Sequence, residues 1–147
     1  MNAKNFSLLT SVLLLAGCTV PNQARYQVFP ASATHPTATP ADQAAVKEII
    51  QTAAKTLKLE DMTASSIVPN TIAYFQQVDS NTPVKLIAWN ENGKILIELM
   101  HWPDTLGETL PFRSTREYIE SELKQRFGDR ASVVAFKKLV AKTPSPH

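Results

Sequence analysis

The chain has little with which to do chemistry. There is one cysteine, at position 18, so no disulfide can form within it. Four glycines are too few for a glycine-rich phosphate loop, and no G-x-S-x-G or paired-cysteine metal motif occurs. Lys and Arg exceed Asp and Glu by only two, and no Lys/Arg run could track a phosphate backbone; nucleic acid is not an expected partner. The longest apolar stretch, Phe6 to Leu15, falls short of the roughly 20 residues of a membrane-spanning helix. Of three histidines, His35 lies in a proline-rich segment and His147 ends the chain, which leaves His101 alone within a patterned region.

What is present begins at the amino terminus. Met1 to Asn5 is polar with Lys4 as its charge, Phe6 to Leu15 is apolar, and Leu15-Ala16-Gly17-Cys18 comes next. This is the layout of a secretory signal. Its end resembles the lipobox of bacterial lipoproteins. The resemblance implies cleavage between Gly17 and Cys18, a diacylglycerol thioether on Cys18 and acylation of the new amino terminus. This covalent lipid is the only expected attachment; no cofactor or metal is called for. Two or more acyl chains make a stable membrane anchor where one does not. In Gram-negative lipoproteins an Asp after the lipidated cysteine favours the inner membrane. Thr19 stands here, so the resemblance implies the outer membrane, facing the periplasm, or, for a Gram-positive source, the outer face of the plasma membrane.

Removing 17 residues leaves 147 − 17 = 130, enough for one domain. Prolines at 21, 30, 36 and 40 forbid a regular helix before Ala41. Residues 18–40 are expected to be an extended tether, with Tyr26 to Phe29 as a candidate added edge strand. A domain then spans residues 41–140 and a flexible tail 141–147.

Thr39-Pro40-Ala41-Asp42 is a helix start: a capping residue, proline at the first helical position and an acid three after the cap. Val46, Ile49, Ile50, Ala53 and Leu57 recur at helical spacing and carry the helix to about Leu59. Ser65 to Val78 reads as a strand broken early by Pro69. Val84 to Asn90 and Ile95 to Trp102 flank Asn92-Gly93, the signature of a two-residue type I′ hairpin. That turn sets Glu91 against Lys94, Trp89 against Leu96, Ala88 against Ile97, Ile87 against Glu98, Leu86 against Leu99, Lys85 against Met100 and Val84 against His101. Pro103 to Phe112 reads as a loop, and Ser114-Thr115-Arg116-Glu117 as a capping box before Ile119, Leu123 and Phe127. Gly128 suits the helix end. Ala131 to Val140 favours a strand through its β-branched residues, although a helix fits its period too. The expected fold is α+β: about four mostly antiparallel strands with two helices, in the order α-β-β-β-α-β.

No nucleophile, base and orienting group come together in this pattern, so no catalytic residue is assigned. Glu98 and His101 are three apart on a strand and point to opposite faces, which argues against a shared metal. Arg113 and Arg116 near Phe112 and Tyr118 are candidates for gripping an acidic or glycan partner. The stronger lead is the mixed hairpin face of Lys85, Ile87, Trp89, Leu96 and Met100, with Trp102 beside it. Aromatics, methionine and basic groups are enriched at interface hot spots. Helices on the other side of the sheet would leave this face available; a helix or loop over it would make it core. The expectation is a lipid-anchored, non-enzymatic accessory module of an envelope assembly. Alternatives are an immunity or inhibitor lipoprotein acting on a toxin, and a binder of a small ligand or cell-wall glycan.

Overall fold

The computed structural model describes residues 21–32, 36–77, 83–103 and 108–137. Residues 1–20 with Cys18, and His35, His147 and the expected tail, lie outside them. The described residues form one six-stranded antiparallel sheet and two helices: β1 (Asn22–Val28), α1 (Pro40–Thr56), β2 (Glu60–Asp61), β3 (Thr71–Gln76), β4 (Val84–Glu91), β5 (Lys94–His101), α2 (Leu110–Phe127) and β6 (Ala131–Lys137). In space the strands run β2-β3-β4-β5-β1-β6.

The class is α+β as expected, but the count and order differ. The largest correction is β1. The sequence pattern places residues 18–40 in a tether, yet Asn22–Val28 pairs with β5 on one side and β6 on the other. It is an interior strand, not an edge. Its side chains alternate without a break between buried and half-buried, and Ala24, Tyr26 and Val28 belong to the core. Pro21 and Pro30 stand just outside the strand and bound it; they do not interrupt it. The second addition, β2, has only two residues. That is too short to show any periodicity in sequence.

The hairpin keeps the expected register at all seven pairs, from Glu91↔Lys94 to Val84↔His101. Asn92 and Gly93 both take positive φ, which a type I′ turn requires. The tip also holds the chain that leads into α1. Gly93 O accepts a 2.7 Å hydrogen bond from Ala38 N, and a Cβ on Gly93 would meet the Pro36 carbonyl oxygen at 2.1 Å.

α1 starts as its sequence indicates. Thr39 Oγ1 accepts from Asp42 N, and Asp42 Oδ2 accepts from Thr39 N, each at 3.1 Å. Burial alone would raise the Asp42 carboxyl. The Arg130 guanidinium 2.9 Å away and the Thr39 backbone and hydroxyl outweigh it and hold the carboxyl below its ordinary value. The helix ends at Thr56 rather than Leu59, with Leu57 as C-cap and Lys58 at positive φ.

α2 begins one turn earlier than expected, at Leu110. Pro111 falls in the first turn, where its missing N–H costs nothing. Phe112 extends the apolar row of Ile119, Leu123 and Phe127 backward. Ser114 is therefore inside the helix and donates to Leu110 O at 3.0 Å instead of capping. The expected strand after Gly128 is β6; residues beyond Lys137 lie outside the described ones.

Both helices pack on one face of the sheet. That face presents Ala24, Tyr26 and Val28 from β1, Ala73 and Phe75 from β3, Leu86 and Ala88 from β4, and Ile95, Ile97 and Leu99 from β5. Val46, Ile49, Ile50, Ala53, Phe112, Ile119 and Leu123 close the core from the helices.

Candidate functional site

Because the helices occupy one face, alternation sends the odd residues of β4 and the even residues of β5 to the other. Lys85, Ile87 and Trp89 stand beside Met100, Glu98 and Leu96 in the paired register. Neither α1 nor α2 covers them.

A shallow groove of about 410 Å³ lies on this face. Ile87, Trp89, Met100 and Tyr74 form its apolar floor, with Lys85 and Glu98 as polar flanks. Its outer wall is the segment Ser65–Val68. That wall is pinned. Thr71 Oγ1 donates to Val68 O at 2.7 Å and lies 2.8 Å from Ser66 Oγ. Tyr74 N donates to Thr63 Oγ1 at 3.0 Å, and Met62 N to Tyr74 O at 2.8 Å. At the rim Ile67 is 97% exposed, the most exposed large apolar side chain in the described fold.

Four of the six residues picked from sequence line this groove: Lys85, Ile87, Trp89 and Met100. Leu96 shares the face but sits beside it, 9% exposed, between Trp89 of β4 and Gln27 of β1. Trp102 lies past the end of β5. Its ring receives the Lys85 ammonium at 5.5 Å, and its backbone N–H donates to Pro83 O at 3.1 Å. Sequence reasoning misses the groove's wall and Tyr74. Ser65–Val68 falls within a stretch that reads as strand, and a turn folding over a neighbouring strand leaves no periodic trace.

The electrostatics of the face are local. Glu98 is 7% exposed and pairs with Arg25 of β1, a partner brought by the strand that the prolines disguise as tether. The Tyr74 hydroxyl donates to Gln76 Oε1, and burial raises the Tyr74 phenol. It remains a donor at neutral pH.

His101 points the other way, toward the helices. It is 6% exposed, stacks on Phe112 with centroids 6.0 Å apart, and its Nδ1 lies 3.5 Å from Thr109 Oγ1. Glu98 and His101 thus occupy opposite faces, as their spacing requires. Among the described residues no cluster of three or more His, Cys, Asp or Glu could hold a metal, and no helix is long and apolar enough to cross a membrane.

Arg113 and Arg116 face partners within the fold. Both pair with Glu108, at 3.2 and 2.8 Å, and Arg116 also reaches Glu120 at 3.1 Å. A second concavity of about 510 Å³ opens between α2 and β6, lined by Tyr26, Glu120, Leu123, Lys124 and Val133. The Tyr26 hydroxyl donates to Glu120 Oε1 at 3.3 Å. Burial first, then the charge of Glu120, push its phenol far above the ordinary value. A phenol so placed is unfit as a base or nucleophile, because catalysis by it would need the anion.

Comparison with protein-family models, with curated proteins and with solved structures finds no match.

Proposed function

We propose that this chain is a membrane-anchored bacterial lipoprotein, acylated at Cys18 and facing the periplasm from the outer membrane, whose domain binds a protein partner without catalysing a reaction. The single observation that carries the binding assignment is the pinned groove over Ile87, Trp89 and Met100, with Ile67 fully presented at its rim. A preformed apolar floor with a Trp, flanked by one cation and one anion, suits an inserted apolar side chain of a partner polypeptide. The anchor rests on Leu15-Ala16-Gly17-Cys18 and the apolar run before it.

The test places a photo-crosslinker at Ile67, where the side chain makes little contact, and captures the partner in cells. Trp89→Ala should weaken capture about 30-fold or more, as expected of a hot-spot loss of roughly 2 kcal/mol, with the urea midpoint little changed. Unchanged capture together with a lowered midpoint would make Trp89 a packing residue and remove the groove from consideration. Cys18→Ser should move the chain out of the membrane fraction.

A further inference from the structure

The reach of the anchor is short. β1 pairs with β5 from its first residue, Asn22↔His101, and with β6 from Gln23↔Lys137, so the sheet begins four residues after Cys18. Four residue steps span at most about 14 Å, and a headgroup layer is roughly 5–7 Å thick on each side of the hydrocarbon. A lipid on Cys18 therefore holds the start of β1 within about 7–9 Å of the outer limit of the headgroups. The end of the sheet at which β1 starts is within easy reach of the headgroups.

That end has a composition that fits. Trp102 comes directly after the last residue of β5, beside the start of β1, with Lys85 over its ring at 5.5 Å. Leu110, the first residue of α2, is 72% exposed. Lys55 and Lys58 are exposed at the end of α1, which meets the start of α2 and His101 around one surface cleft. Glu60 and Asp61 of β2 are acidic residues exposed nearby. Tryptophan prefers the membrane interface, an aliphatic side chain can enter it, and lysines attract anionic headgroups while their stems lie along it.

We infer that this end of the domain, marked by Trp102 and Leu110 and ringed by Lys55, Lys58 and Lys85, docks on the lipid surface that holds Cys18. The inference rests on the anchor proposed above. It orients the molecule: the strands stand on the membrane by the β1 start, and the Asn92-Gly93 hairpin tip points away from it. The groove over Trp89 then opens sideways, parallel to the bilayer, toward partners in the same membrane.

The experiment uses the acylated full chain in vesicles of phosphatidylethanolamine and phosphatidylglycerol. In the Trp89→Phe chain Trp102 is the only tryptophan; its emission should fall about twofold or more when the lipids carry bromine near the headgroup, as for an interfacial ring. A second chain, Leu110→Cys bearing an environment-sensitive fluorophore, should shift to the blue on the same vesicles, and a fluorophore on Asn92→Cys should not. If the acylated chain floats with the vesicles but neither Trp102 nor position 110 responds, docking is overturned and the anchor stands. If Cys18→Ser floats as well as the native chain, the anchor itself fails and the docking inference falls with it.

Discussion

Tyr26 shows how much one side chain can hold. It is 1% exposed, lies in the middle of β1, and donates to Glu120 of α2. Its phenol is raised by burial and by the Glu120 charge. Up to about pH 10, the ordinary phenol value, the folded and unfolded chains both keep this proton. Above it the unfolded chain releases the proton first, so stability falls as pH rises. Tyr26→Phe should cost about 1 kcal/mol at neutral pH, one hydrogen bond to a charged acceptor that retains Arg116. It should also flatten the alkaline decline of the urea midpoint, leaving the smaller slope from Tyr74. Thr115 is the opposite case. It is 3% exposed on the buried face of α2, and its hydroxyl has no hydrogen-bond partner. Thr115→Val should leave stability unchanged or raise it by about 1 kcal/mol in urea unfolding, because the desolvation of an unpaired hydroxyl disappears while shape is kept. Neither role is legible in the sequence. Tyr26 shows there as apolar and Thr115 as a capping-box member. The acceptor for Tyr26 lies 94 positions away, and Thr115 is set inside a helix that starts earlier than its sequence suggests.

Among the elements, the hairpin is the most legible. Asn-Gly demands positive φ at two consecutive residues, and that one local requirement sets every cross-strand pair of β4 and β5. The structure adds a second duty to the same glycine. Gly93→Ala would meet the Pro36 carbonyl and strain a φ of 80°, so it should cost more than about 1 kcal/mol. A urea midpoint equal to that of the native chain would show that the segment before α1 moves aside at no cost. β1 is the least legible element. Ala24-Arg25-Tyr26-Gln27-Val28 alternates at period two, which is a strand signal. The prolines around it and its position just after the apolar run 6–15 point instead to a tether. Its true partners are far away in sequence: Arg25 meets Glu98 across 73 positions.

At the scale of the molecule, β1 decides how the sheet closes. β6 has no other neighbour in the strand order, so without β1 it loses its attachment to β5. Burying Tyr26 and Val28 contributes roughly 3–6 kcal/mol together, a large part of the 5–15 kcal/mol that typically holds a domain. A chain beginning at Pro36, with the α1 cap intact, should therefore lose its cooperative urea transition and its near-ultraviolet circular dichroism. Retention of the native midpoint would return residues 22–28 to the role of tether. The same strand leaves only residues 19–21 between Cys18 and the sheet, and the proposed docking depends on that short span.

The sequence by itself determined what depends on neighbours along the chain: the capped start of α1, the hairpin and its register, and the amphipathic rows of both helices. Only the tertiary structure decided which segments joined the sheet, which face the helices took, and what wall stood over Trp89. A strand's hydrogen-bonding edges are filled by residues from anywhere in the chain, so membership in a sheet is settled by long-range pairing and shared burial. A cap or a two-residue turn is settled by the few bonds within it.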